Sequence, residues 1–325
     1  MNDRDALIAA LQWHIDRDAA FAVEDAPVNH LKPRLALDVA AHTLPEGSTA
    51  PFANPSSAAS SAVSSGASSP AAPRMKTELP PQSSPIPAQM PGSAAAIVEA
   101  RKLAMNCDTL EALSAAIADF GGLGIRKTAT NMVFADGVPQ ARVMIVGEAP
   151  GADEDRIGKP FVGRSGQLLD LMFSFVGLSR SAADDPTNAL YISNIVNWRP
   201  PGNRNPDPVE MEMSLPFIER HIALVNPSVL VLAGGIAAKA LLPNAGGIMK
   251  LRGKFTTYRP ITPDIAAGTA LAARLTQNGT DGGADSGIPV LPMLHPAYLL
   301  RTPLDKELAW RDLLSLRSFL AKQTA

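Results

Sequence analysis

Three polar residues of different chemistry stand just after apolar runs in this sequence, and together they suit work on a planar, polar ring. Glu148 follows Val143–Gly147, Asn194 follows Leu190–Ser193, and His295 follows Ile288–Met293 by one leucine. A carboxylate orients or activates water, a carboxamide offers a donor beside an acceptor, and an imidazole donates to developing negative charge. The stretch from Gly147 to Asp170 (GEAPGADEDRIGKPFVGRSGQLLD) adds the acids Asp153, Glu154 and Asp155, and an aromatic, Phe161. Its five glycines, Gly147 to Gly166, let backbone approach a ligand closely. Arg199 and Arg204 follow Asn194 in NWRPPGNR. Each group also has a plainer use: Asn194 as a turn cap, His295 as a structural turn residue, Phe161 as core, the arginines as solvated surface. Their joint placement after consecutive apolar runs is what favours a binding site.

For those residues to meet, the runs must be parallel strands whose carboxyl ends share one edge. Arg142–Val146, Leu190–Ser193, Ser228–Ala233 and Ile288–Met293 are rich in Val, Ile and Leu without polar alternation, as strands covered on both faces are. Helical stretches separate them: Ser165–Phe175, Asp207–Val225 and Ile236–Leu242, with a last helix at Leu304–Lys322. Asp207, Pro208 and Glu210 supply a cap, a first-turn proline and a capping-box glutamate. Asp108 and Glu111 suggest a second box. The pattern predicts an α/β fold, three-layer α/β/α with a central four-stranded parallel sheet.

The 325 residues divide by composition. Residues 1–41 read as an N-terminal helical extension, Asp3–Phe21 being amphipathic, and residues 42–93 as a disordered linker of Ala, Ser and Pro. Residues 94–325 form the globular domain, with 256–287 expected as a surface insertion loop. A net charge of −2 excludes a global basic field, so any anion-binding surface must be local. One cysteine, Cys107, excludes an internal disulfide and a cysteine-rich metal site. No apolar run is long enough for a membrane span, and the start lacks the layout of a signal peptide, so a cytoplasmic location is expected.

GEAPGADEDRIGKPFVGRSGQLLD, SNIVNWRPPGNRNP and LHPAYLL, in this order, resemble the motifs of the uracil-DNA glycosylase superfamily, nearest its family-4 type. The likeness covers most of residues 120–320 and neither the N-terminal helix nor the linker. It implies a monofunctional enzyme of base excision repair that flips uracil out of DNA and hydrolyses its N-glycosidic bond, leaving an abasic site. A glycosylase of broader scope (hypoxanthine, xanthine) and a non-catalytic nucleic-acid binder are the alternatives. By position, Glu148 would govern the attacking water with Asp155 in reserve, and His295 would donate to the uracil O2. Phe161 would stack on the base, Glu154 would face its C5 edge, and Asn194 would read its amide edge. Ala149, where family-1 enzymes carry aspartate, and Gly151 would contact substrate through their loop. Ser165, Arg199 and Arg204 would hold flanking phosphates, and Leu299, Leu300 or Arg301 would enter the gap in the duplex. Uracil-containing DNA is the expected partner of a monomer, with a possible protein partner for the N-terminal helix.

One departure is large. Family-4 enzymes hold an iron–sulfur cluster on four cysteines, and the matching positions here are Phe120, Leu123, Trp198 and Ser214. The resemblance therefore implies no cofactor and no metal in this chain, with Phe120, Leu123 and Trp198 as an apolar plug.

Overall fold

The computed structural model describes residues 91–242, 246–277 and 287–324. The expected N-terminal extension lies outside these residues, as does the linker except for its last three positions. Those three open a helix, α1 (Pro91–Met105), so ordered structure starts slightly earlier than expected. Next come α2 (Leu110–Asp119), β1 (Ala135–Gly137), β2 (Val143–Gly147), α3 (Ala152–Ile157) and α4 (Arg164–Ser174). The chain continues through β3 (Leu190–Asn194), α5 (Pro208–Val225), β4 (Val229–Ala233), α6 (Gly235–Leu241) and α7 (Ile248–Leu251). It closes with β5 (Thr256–Tyr258), α8 (Ala270–Gln277), β6 (Ile288–Met293), α9 (Pro296–Arg301) and α10 (Lys306–Thr324).

β3, β2, β4 and β6 lie side by side and parallel, in that order, and are almost wholly buried. They match the four runs read from the sequence. The sheet itself has six strands: β1 joins β3 and β5 joins β6, both antiparallel. These edge strands are three residues long and only partly buried, so they lack the apolar run that marks the central four. Side chains alternate between two cores. Met144, Val146, Leu230 and Leu232 face one with Phe120, Phe217 and Tyr258, whereas Val143, Ile145, Val229 and Val231 face the other with Leu168, Met172 and Leu313. The result is the expected three-layer arrangement.

Local sequence explains most ends. Asp207 accepts from the Glu210 backbone N–H and Glu210 accepts from that of Asp207, both at 2.8 Å, which starts α5 as expected. The other expected box is corrected: Thr109 caps α2, accepting from Ala112 N–H, while Asp108 turns to the Arg220 guanidinium at 3.2 Å. The acids after β2, Asp153, Glu154 and Asp155, form the first turn of α3.

The expected surface loop at 256–287 is overturned. Its described part contains β5, α8 and the fully buried Tyr258, Ile265 and Leu271. Two buried charges of α5 hold it in place. Glu219 accepts from the backbone N–H groups of Ile261 and Thr262, and Arg220 donates to the carbonyls of Ile265, Ala267 and Cys107. A Gly/Thr/Ala-rich segment reads as solvent-exposed because the groups that satisfy its backbone lie some forty residues away on another element.

Candidate functional site

The register of the central strands sets the site. Gly147 lies opposite Asn194 across β2 and β3, and Ala233 opposite Met293 across β4 and β6, so all four strands deliver their next residues to one edge. A cavity of about 210 Å³ opens there. Of the residues singled out in the sequence, Glu148, Ala149, Gly151, Glu154, Phe161, Ser165, Asn194, Arg204 and His295 line it. Pro150, Asn203, Asn205 and Ala297 line it as well and were not anticipated, although Asn203 and Asn205 sit in the NRNP run already noted.

Asn194 ends β3 with its side chain buried, and among the described residues its amide makes no hydrogen bond. Gly147 makes room for it: a Cβ there would stand 2.4 Å from Asn194 Oδ1 and 2.7 Å from the Phe161 ring. A neutral amide left unpaired at a cavity wall has both a donor and an acceptor to offer a ligand. Glu148 lies beside it, and burial, with no cation in contact, pushes its carboxyl above the usual glutamate range.

His295 caps α9. The Ala297 N–H donates to its Nδ1 at 3.1 Å, which keeps a lone pair on Nδ1 and places the ring proton of the neutral form on Nε2. Burial, and secondarily the charge of Arg301, holds the pKa down at about 4 against the opposing pull of Glu154. At neutral pH the imidazole is therefore an uncharged donor. Its ring lies 5.5 Å from that of Phe161, inclined by 29°. Behind it Gly234, at φ +99°, would bring a Cβ within 3.1 Å of His295 Cβ, so glycine there permits the close packing.

Phe161 is held in the left-handed region at φ 53°, a conformation that costs a bulky residue about 1–3 kcal/mol. Glu154 helps to keep it there. One carboxylate oxygen accepts from Val162 and Gly163 N–H, both at 3.0 Å, and the other from Gly151 N–H at 3.1 Å. Glu154 lines the cavity, but its lone pairs are engaged in bracing the loop.

Other anticipated residues fall elsewhere. Asp155 does not reach the cavity: its buried carboxylate accepts from Thr130 and Asn131 N–H, at 2.8 and 3.1 Å, and so anchors a loop. This removes it as a reserve for the water. Leu299 is 0 % exposed and packs in the core on the α4 and α10 side of the sheet, so it cannot enter a duplex without unfolding α9. Leu300 is partly buried against the same core. Arg301 is exposed and lines an adjoining cavity of about 520 Å³, which shares Glu148, Asn205, His295 and Ala297 with the first and also contains Lys239. Arg204 is held by Glu210 at 2.6 and 2.8 Å, and Arg199 donates to Asn203 at 2.7 Å. The burial that separates Leu299 from Arg301 follows the helical face, which the short motif LHPAYLL does not reveal.

Phe120, Leu123, Trp198 and Ser214 are all buried, and the first three belong to one core cluster with Phe217. Phe120 meets Phe217 edge-on at 5.3 Å, and Arg126 lies 5.9 Å from the Trp198 ring centre. None of the four is a thiol, and Cys107 is occupied with the Leu103 carbonyl. An iron–sulfur cluster needs several thiolates, so these residues do not fit one.

Comparison with known proteins gives the family. The family model described as the uracil DNA glycosylase superfamily matches residues 134–314, more than half of the chain. A protein of Sulfurisphaera tokodaii named type-4 uracil-DNA glycosylase is 31% identical over 193 residues, covering 58% of this chain and 74% of its own. One of Thermotoga maritima with the same name is 30% identical over 197 residues, covering 60% and 85%. A type-5 uracil-DNA glycosylase of Thermus thermophilus is 35% identical over 118 residues, covering 34% and 53%. With that match running from before β2 to inside α10, and so across every wall of the cavity, the chain belongs to the uracil DNA glycosylase superfamily.

Proposed function

We propose that this protein excises uracil from DNA as a monofunctional glycosylase, hydrolysing the N-glycosidic bond and leaving an abasic site for base excision repair. The observation that carries the reading is the convergence of Glu148, Phe161, Asn194 and a neutral, Nε2-protonated His295 on one small cavity. The target nucleotide must leave the duplex to enter it, at a cost of a few kcal/mol that contacts in the cavity offset. Phe161 stacks on the base. Asn194 donates to O4 and accepts from N3–H, a pairing that cytosine, with an amino group at position 4 and no proton on N3, does not match.

As the glycosidic bond lengthens, negative charge grows on the base and positive charge on the sugar. His295 Nε2–H donates to O2 where that charge accumulates, a contribution of about 3–4 kcal/mol by analogy with oxyanion holes. Glu148 orients the water that attacks C1′ and accepts its proton. The one lysine of the shared motifs, Lys159, is outside the cavity lining and paired with Asp136 at 3.0 Å, so water is the nucleophile and the strand is left uncut. Ser165 and Arg199 face flanking phosphates. No iron–sulfur cluster takes part; what supports this is that Phe120, Leu123, Trp198 and Ser214 are buried and none is a thiol. Metal analysis of untagged protein would overturn that last point if iron and sulfide were stoichiometric.

The decisive assay incubates the protein with a uracil-containing oligonucleotide, single- and double-stranded, followed by alkali. Strand breaks at uracil after alkali alone are expected. Absence of breaks on both substrates would refute the reading, and breaks before alkali would refute its monofunctional form.

A further inference from the structure

Phe161 is gripped from two sides. While Glu154 holds the N–H groups that follow it, the Arg180 guanidinium takes the carbonyls before and at it: Nη1 donates to Pro160 O at 2.8 Å and Nη2 to Phe161 O at 2.9 Å. Arg180 lies outside the sequence motifs and is itself fixed. Its Nε donates to Asp170 on α4 at 2.8 Å, and Nη1 also reaches Asp136 on β1 at 3.1 Å. Lys159 completes the ring of charges, 3.0 Å from Asp136. The side chain of Arg180 is 11% exposed, so these bonds form largely away from solvent. The first turn of α4 presses on the same carbonyl, since a Cβ on Gly166 would lie 1.8 Å from Phe161 O.

From this geometry we infer that Arg180 is a positioning residue for base stacking. Its planar fork holds the Pro160 and Phe161 carbonyls in the orientation that the left-handed backbone of Phe161 requires, and so fixes the ring as the wall of the cavity. Lysine offers a point charge that can serve one carbonyl at a time, whereas the guanidinium serves both and keeps two carboxylates besides. The inference rests on the proposed stacking role of Phe161 and adds a specificity determinant outside the cavity.

A double-mutant cycle tests it. Arg180→Gln is expected to lower kcat/KM for uracil excision on the order of tenfold, because a misplaced wall misaligns the flipped base. Arg180→Lys should recover part of that loss. In a Phe161→Ala background, Arg180→Gln should produce no further fall, although it lowers the melting temperature in both backgrounds. If the two losses multiply instead, or if Arg180→Gln lowers stability with unchanged excision, the inference is overturned. Should Arg180→Gln not fold, Asp170→Asn loosens the same fork: a smaller loss that again vanishes with Phe161→Ala supports the role, and unchanged excision overturns it. Amide hydrogen exchange across residues 158–166 reads the grip without catalysis, and faster exchange in the Arg180 or Asp170 variant is expected. Wild-type protein that excises no uracil would refute the function, while unchanged exchange would refute the grip.

Discussion

Two buried regions on the same family scaffold are built on opposite principles. The cavity gathers a carboxyl, a carboxamide and an imidazole at the strand ends, and the side chains of Asn194 and Glu148 make no hydrogen bond there among the described residues. The region of Phe120, Leu123, Trp198 and Ser214 is buried, with Phe120 edge-on to Phe217. The first region carries a cost in stability, since desolvated polar groups await a ligand. The second supplies stability through the apolar burial of Phe120, Leu123 and Trp198, offset in part by Trp198 Nε1 and Ser214 Oγ, which are buried without hydrogen-bond partners among the described residues. The two regions are therefore expected to respond separately to substitution.

Substitutions should separate the two regions. Phe120→Ala removes a fully packed ring and is expected to cost about 3–5 kcal/mol in denaturant unfolding, with excision per folded molecule near wild type; a matching loss of kcat would join the two regions. His295→Ala should do the reverse. A fall in kcat of about 10²–10³, with a smaller change in KM, is expected from a donor used in the transition state. Its cost in stability should be only the cap on α9, about 1 kcal/mol.

Titration sharpens the contrast. Because Glu148 is pushed up by burial while His295 stays neutral down to about 4, the acid limb of excision should report Glu148 and lie above the ordinary glutamate value of about 4.3. Glu148→Gln should leave a low rate without that limb. Stability follows the histidines instead. His295 titrates at about 4 and His221, buried against Tyr191 and Phe134, at about 3, both below the unfolded value of about 6.5. For these two groups the unfolded chain binds more protons between those limits, so their share of stability falls as pH drops from about 6.5 toward 4, while Asp312, raised to about 6 by burial, contributes in the opposite direction. Titration of either imidazole near 6.5, followed by NMR, would contradict its desolvation. The smallest expected effect is at Ser214, whose buried Oγ has no partner: Ser214→Ala should be neutral or stabilise by about 1 kcal/mol.

The central sheet and the identity of the cavity's polar groups were legible because both depend on local order. An apolar run buried on two faces announces a strand, and the next residue in a parallel sheet must reach the common edge. Asp155, Leu299 and the 256–277 segment were misread for one shared reason. Each is placed by partners distant in sequence: the N–H groups of Thr130 and Asn131 for Asp155, the far core for Leu299, Glu219 and Arg220 for the segment.

What the sequence determined by itself is the chemistry available: Glu148, Asn194 and His295 at strand ends, Phe161 in a glycine-rich loop, and a single thiol, Cys107. Tertiary structure alone decided how that chemistry is held. The proton of His295 is set by the Ala297 N–H, and the carboxylate of Glu154, at the cavity wall, braces its own loop. The ring of Phe161 is kept in a costly backbone conformation by an arginine nineteen residues on. Hydrogen bonds to backbone carry no residue-type signature at the accepting or donating end, so only their geometry reveals them.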